Sequence, residues 1–306
     1  MPLKHFRRVK PLESGARIAL VSPAGPLQKP AELPRAEANV RALGWDPVVA
    51  AHANDRTGYL AGSDRHRLDD INRALRDPSI DGIWCLRGGY GMIRILNGID
   101  YNALSRAPKP LIGYSDITAL HAAVQRRCEL ITYHGPTARE ELTDFSRESL
   151  ERAVISQTDS CGIAPAAREI RPGTAKGRLV GGNLAVLASL CGTAFMPDLT
   201  DGILILEDIN EPVYRIDRML QQLKLSGALD TCSAMVFGEC VKCAEDAGGG
   251  GRPFDDVLSE IARGLGVPCM AGVPVGHIDR QWTIPLGAIA TVDTGSRTLS
   301  VTSYTS

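Results

Sequence analysis

Short apolar runs alternate with segments of helical period through the first 135 residues, and this alternation constrains the fold more than any other feature of the chain. The runs fall at 17–21 (RIALV), 47–51, 82–86 (GIWCL), 110–113 and 130–133. Each is too short for a buried helix and reads as a strand. Between them, 31–43 repeats apolar residues at helical spacing (Leu33, Ala36, Val40, Leu43). Ser63 is placed to cap a helix carrying Leu68, Ile71 and Leu75 on one face, and 92–96 and 116–125 read as further helices. Strands alternating with helices predict a parallel sheet with helical layers. Breaker-rich loops follow three of the strands: SPAGP at 22–26, RGGYG at 87–91 and the Gly-Tyr-Ser of 113–115.

Beyond residue 146 the pattern changes. The stretch 146–176 looks loop-like and serves as the expected linker. Helices are expected at 184–191, stopped by Gly192, at 212–223 with Pro212 in the first turn, and at 254–261, capped by Gly264. Strands are expected at 202–206, 234–238, 273–275, 284–292 and 299–301, with a glycine loop at 248–251. The expected architecture is two-domain α/β. Residues 1–150 form a parallel-sheet α/β domain, 151–176 a linker, and 177–306 a mixed, β-rich α/β domain.

Composition excludes several function classes. The net charge of −1 gives no electrostatic case for a nucleic-acid partner. No run approaches the 18 or so apolar residues of a membrane span, so no membrane partner is expected. The first 25 residues hold no long apolar stretch ahead of the first strand, so no secretory leader is expected. Eight cysteines are scattered, several of them inside apolar runs, which suits buried thiols in a reducing compartment. The expected location is the cytoplasm.

The chemistry centres on Ser115, at the junction between a strand and a helix. It is either a plain helix cap or a nucleophile held on a tight turn beside a helix N-terminus. Gly113 leaves room for such a turn, while Ile117 stands where the usual pattern has a second glycine. A serine nucleophile needs a base and an orienting acid. Of six histidines, His277 follows a short apolar run and Gly276, where a rigid scaffold can aim it. Glu207 and Asp208 end a very apolar strand, an unusual place for carboxylates without a role. Asp208 or Asn210 is available to cap the helix at 212, which leaves Glu207 free. The loop 86–94 lacks a phosphate-binding pattern but offers closely approaching backbone N–H groups. Cys240-x-x-Cys243 stands alone, and no zinc site is expected there.

Together the stretches VSPAGP (21–26), LRGGYG (86–91), IGYSDITALH (112–121), HGP (134–136), GRLVGGNL (177–184), ILILEDINEPVYRIDRMLQQL (203–223) and GVPVGH (272–277) resemble the LD-carboxypeptidase family of serine peptidases, in the family's order. That family includes murein tetrapeptide carboxypeptidases and microcin immunity peptidases. The resemblance implies Ser115 as nucleophile, Glu207 as orienting acid and His277 as general base, at the interface of two domains. It implies an oxyanion hole from the backbone N–H groups of Gly88, Gly89 and Asp116. It implies a homodimer, no metal and no other cofactor. The implied reaction releases the terminal D-alanine of a murein tetrapeptide, with Arg87 as the candidate receiver of the substrate carboxylate. The immunity-type alternative cleaves a peptidyl- or aminoacyl-nucleotide and uses an aromatic to stack on the base. Here the only aromatic between Asn183 and Glu207 is Phe195, which favours the murein peptide. A non-catalytic two-domain binding protein, with Ser115 a mere cap, is the alternative of a different class.

Overall fold

The computed structural model describes residues 5–243 and 251–304. Its first half runs β1 (Arg17–Val21), α1 (Glu32–Ala42), β2 (Asp46–Val49), α2 (Asp64–Arg76), β3 (Gly82–Cys85), α3 (Met92–Ile95), α4 (Tyr101–Arg106), β4 (Leu111–Gly113), α5 (Thr118–Cys128) and β5 (Thr132–His134). Ser63 caps α2 by accepting from the His66 N–H. After α6 (Asp144–Glu151) come β6 (Gly162–Ile163), β7 (Arg168–Arg171), β8 (Thr174–Asn183), α7 (Leu184–Ser189), β9 (Gly202–Ile209), α8 (Val213–Leu225) and β10 (Ala234–Val241). The chain ends with α9 (Phe254–Leu265), β11 (Cys269–Ala271), β12 (Ile284–Leu286), β13 (Ile289–Asp293) and β14 (Thr298–Ser303).

Two sheets result. The first has the order β12-β5-β4-β3-β1-β2, and the second β6-β14-β13-β8-β9-β10-β11-β7. Strands β1 to β5 are mutually parallel, as the alternation predicts. In the second sheet β8, β9, β10 and β11 are parallel, and antiparallel strands flank them. The fold is two-domain α/β with a parallel first sheet and a mixed second one.

Three expectations need correction. The segment 151–176 is no loop: a wide π-type turn (Arg152–Ser156) is followed by β6 and β7, which edge the second sheet. Both strands are short, and their exposed residues give no apolar alternation to read. Residues 273–275 form no strand: the strand lies earlier, at β11, and the chain then turns through Gly272 and Gly276 toward the first half. Helix α9 runs past Gly264 and is capped by Gly266 in the left-handed conformation. Residues 248–250 of the expected glycine loop lie outside the described residues.

Strand β12 crosses back to the first sheet and pairs antiparallel with β5 (Ile284 with His134, Leu286 with Thr132). The C-terminal half thereby completes the N-terminal sheet. The core follows the period of two. On β9, Ile203 and Ile205 join the core shared with the first half, while Leu204 and Leu206 pack with α7, α8 and α9. On β10, Ala234 and Val236 face the first core, and Met235 and Phe237 the second. Continuing that alternation puts Glu207 on the face toward the first half and Asp208 on the other.

Between β4 and α5 the chain turns at Ser115, which has φ of 64°. A left-handed conformation costs a residue with a Cβ roughly 1–2 kcal/mol. Ser115→Gly is therefore expected to be more stable than Ser115→Ala by about 1 kcal/mol, read from urea unfolding midpoints, although both remove the hydroxyl. Phe237 is wholly buried between β10 and α9, its ring edge-on to Phe254 at 6.0 Å. Phe237→Ala is expected to cost about 3–5 kcal/mol in the same measurement.

Candidate active site

Ser115, Glu207 and His277 are far apart in sequence and meet at the seam between the two halves. His277 Nε2 lies 3.1 Å from Ser115 Oγ, and His277 Nδ1 lies 2.8 Å from Glu207 Oε2. Glu207 is fully buried and His277 nearly so, with 16% of its side chain exposed. The serine heads a short 3-10 turn (Ser115–Ile117) that leads into α5. Its hydroxyl is turned to the imidazole.

Gly276 makes the Glu207–His277 pair possible. Its φ is 115°, and a Cβ there would sit 2.9 Å from both Glu207 Cβ and Oε2. Any side chain at this position displaces the carboxylate from the imidazole. Burial disfavours the imidazolium form of His277. The hydrogen bond and charge of Glu207, helped by Glu140 and Asp208, outweigh burial, and the net effect raises the pKa above the usual 6.5.

The glycine loop abuts the serine. A Cβ on Gly88 would fall 2.7 Å from Ser115 Cβ and 3.0 Å from its Oγ, so only glycine brings the backbone this close. Gly89 lies beside Gly25 and the Arg87 guanidinium instead. Asp116 follows the serine directly and does more than supply an N–H. Its buried carboxylate accepts from the Met92 N–H at 2.7 Å and so pins the glycine loop and the start of α3 to the serine turn. Burial pushes its pKa up to about 6, against the pull of Met92, Arg67 and Gly91.

Arg87 donates from Nη1 to the Pro26 carbonyl at 2.8 Å. No carboxylate lies within 4 Å of it among the described residues, because nearby Glu32 pairs with Arg139 at 2.6 Å. Burial, then the charge of Arg139, lowers its pKa. It is a half-buried cation whose charge has no direct partner.

Several contributors have roles that the sequence alone does not reveal. Asp208 does not cap α8. It accepts from the Ala185 N–H at 2.9 Å and from Asn183 Nδ2 at 3.2 Å, and so steadies the first turn of α7, which Asn183 caps. Burial raises its pKa to about 6. Glu140 accepts from Tyr114 OH (2.8 Å), Thr137 Oγ1 (2.9 Å) and Gln281 Nε2 (3.3 Å), which ties the residue before the serine to the His277 segment. A cavity of about 500 Å³ opens beside His277, lined also by Tyr114, Pro136, Glu140, Glu141 and Asp279. His134 lies beneath Tyr114, wholly buried, and burial holds it neutral with its pKa well below 6.5. Only three-dimensional proximity reveals these partners.

A hydroxyl, an imidazole and a buried carboxylate in line can remove the serine proton and stabilise the imidazolium that forms, which suits acyl transfer. Among the described residues, no group of three metal-ligand atoms gathers around them. Among the described residues, the one group of three His, Cys, Asp or Glu ligand atoms lies elsewhere, at His52, Asp55 and His66.

Comparison with known proteins shows which family the chain belongs to. Sequence models of the LD-carboxypeptidase N-terminal domain and C-terminal domain match residues 18–135 and 176–292. A murein tetrapeptide carboxypeptidase of Pseudomonas aeruginosa is 34% identical over 90% of this chain and 93% of its own length. The crystal structure of a muramoyltetrapeptide carboxypeptidase from Oxalobacter formigenes superposes with a TM-score of 0.84 at 28% identity, covering 95% of this chain and 100% of that one. The wild-type microcin C7 self-immunity protein MccF superposes with a TM-score of 0.87 at 26% identity, covering 97% and 99%. By both domains and by relatives of matching length, the chain belongs to the LD-carboxypeptidase family.

Proposed function

We propose that the protein is a serine-type LD-carboxypeptidase that removes the terminal D-alanine from a murein tetrapeptide in cell-wall recycling. What carries the reading is the hydrogen-bonded line from Ser115 through His277 to Glu207. A helix cap would turn the Ser115 hydroxyl back to the backbone of its own helix, whereas here it meets an imidazole. This favours chemistry over a non-catalytic binding protein.

In the proposed mechanism His277 takes the Ser115 proton as the oxygen attacks the carbonyl of the L-to-D bond. Glu207 fixes the imidazole tautomer and stabilises its charged form. Backbone N–H groups of Gly88, Gly89 and Asp116 receive the oxyanion. The imidazolium protonates the leaving amine, D-alanine departs, and water, deprotonated by the same imidazole, frees the acyl group from Ser115. Arg87 receives the carboxylate of the leaving residue, a charge-assisted contact that makes the enzyme an exopeptidase. The resemblance further supports a homodimer, and eight unpaired cysteines suit the cytoplasm.

A nucleotide-conjugate substrate is the second reading. Phe195 does not support it, being 8% exposed and packed beside Tyr101 with Arg127 over its ring. The observation in its favour is the exposed pair Tyr59 and Tyr90, edge-on at 5.5 Å, with Tyr90 in the glycine loop.

Incubation with L-Ala-D-Glu-diaminopimelate-D-Ala, followed by mass spectrometry, tests the assignment. The wild type is expected to lose one alanine, and Ser115→Ala to be slower by about 10³-fold or more. Equal cleavage by Ser115→Ala would falsify the nucleophile. Cleavage of a peptidyl-adenylate in place of the tetrapeptide would establish the second reading.

The base works only when neutral, so kcat/KM is expected to fall as pH drops through the raised pKa of His277. Glu207→Gln removes the charge that raises it. Its acid limb is expected at lower pH than in the wild type, with a plateau lower by about 10²–10⁴-fold. An unmoved limb in Glu207→Gln refutes the pairing.

A further inference from the structure

On the far side of the 22–26 loop from the glycine loop, His52 and His66 both aim their Nδ1 atoms at one oxygen of Asp55. The distances to Asp55 Oδ2 are 3.0 Å from His52 and 2.8 Å from His66. The two imidazoles stack with ring centres 3.9 Å apart and planes 15° from parallel. The three ligand atoms lie within 4.8 Å of one another. All three side chains are open to solvent on one side, with 32%, 44% and 38% exposure for His52, His66 and Asp55.

We propose that His52, Asp55 and His66 form a binding site for a divalent transition-metal ion, with zinc the best match to two imidazole nitrogens and a carboxylate. The donor set is the first argument. Imidazole with carboxylate suits zinc and its neighbours and leaves a fourth position for water. Spacing is the second. Zinc–ligand bonds of about 2.0–2.2 Å at tetrahedral angles put ligand atoms roughly 3.3–3.5 Å apart. The two contacts at Asp55 Oδ2, at 3.0 and 2.8 Å, need to open by roughly half an ångström, and all three atoms already lie within 4.8 Å of one another. An ion replaces the two hydrogen bonds with three coordination bonds: each imidazole binds through Nδ1 as the neutral tautomer whose proton sits on Nε2, the Asp55 carboxylate binds through oxygen, and a proton goes to solvent only from an imidazole that was doubly protonated.

Preorganisation is the third argument. His66 lies in the first turn of α2, and its N–H is held by the Ser63 hydroxyl. The His52 N–H is held by Asp70 at 2.9 Å, and the Asp55 N–H bonds the His52 carbonyl at 3.0 Å. Gly62 gives Asp55 its room, since a Cβ there would fall 2.8 Å from Asp55 Cβ and 3.2 Å from Oδ2. The ligands thus sit on fixed backbone before any ion arrives.

The site bears on the rest of the molecule through one loop. Ala53 O accepts from Ser22 Oγ at 2.7 Å, and the Ala61 N–H donates to Ala24 O at 2.9 Å. Next along that loop, the Gly25 N–H donates to Gly88 O at 2.8 Å. An ion at the cluster clamps the segment that backs the glycine loop, while contributing no ligand to Ser115. The inference stands whichever substrate the enzyme takes.

The experiment uses the tag-free full chain, stripped with EDTA and desalted, titrated calorimetrically with zinc chloride and followed by its melting temperature. The expected result is one zinc ion per chain with a raised melting temperature. His52→Gln with His66→Gln is expected to weaken binding on the order of tenfold or more and to abolish the rise, as is Asp55→Asn, the second variant should the first fail to fold. Cys240→Ser with Cys243→Ser is expected to bind as the wild type does. Absence of binding at millimolar zinc overturns the proposal. So does binding that survives loss of both histidines or that depends on the cysteine pair.

Discussion

One imidazole spans the seam of this molecule, and the arrangement around it depends on that span. His277 reaches Ser115 of the first half at 3.1 Å and Glu207 of the second sheet at 2.8 Å. Neither contact forms unless β9 lies against the first half with the right face inward. The alternation of β9 secures this, since Ile203 and Ile205 bury into the shared core and carry Glu207 to the same side. A slip of one residue would exchange Glu207 for Asp208. Catalytic register and core packing are therefore one constraint.

Electrostatics follow from the same burial. Glu207 and Asp208 are adjacent, both out of water, and point to opposite faces. Two neighbouring buried carboxylates repel unless each finds donors. Asp208 takes the Ala185 N–H in the first turn of α7, where a helix N-terminus favours negative charge, and the N–H of its neighbour Ile209. Glu207 takes the imidazole. Asp116 plays a parallel part across the seam, since it spends its buried charge on the N-terminus of α3 and so fixes the glycine loop. The carboxylates around Ser115 each have donors, Asp116 and Asp208 at helix starts, Glu207 at His277 and Glu140 from Tyr114, Thr137 and Gln281, while Arg87 has no carboxylate within 4 Å among the described residues.

Much of this was legible in the sequence and some was not, for identifiable reasons. The parallel first sheet declared itself through short apolar runs such as 17–21 and 82–86, because a strand buried on both faces needs continuous apolar residues. Strands β6 and β7 left no such trace: they are edge strands of two and four residues with exposed side chains. The run 273–275 looked like a strand because it is apolar, yet it is a buried connection carrying His277 to the seam. Ser115, Glu207 and His277 were named from a resemblance spread over the whole chain, and single residues at their spacing would not have distinguished a helix cap from a nucleophile. Asp116, Asp208 and Glu140 act through backbone N–H groups and distant side chains, so no local pattern reveals these roles, although Asp208 stood out at the end of its apolar strand and Asp116 was expected only to offer its N–H. His52, Asp55 and His66 sit at spacings set by a loop.

Strand β12 has a further consequence. By pairing with β5 it stitches the C-terminal half into the first sheet, within a few residues of His277. Clefts between two domains can open and close by hinge motion. Here that motion would tear a ladder whose partner strand carries His134, directly beneath Tyr114. The seam that joins Ser115 to His277 is thus stapled by backbone hydrogen bonds as well as by side-chain packing, and the halves cannot part without breaking that ladder. The spacing of the three site residues is then a property of topology as much as of the side chains themselves.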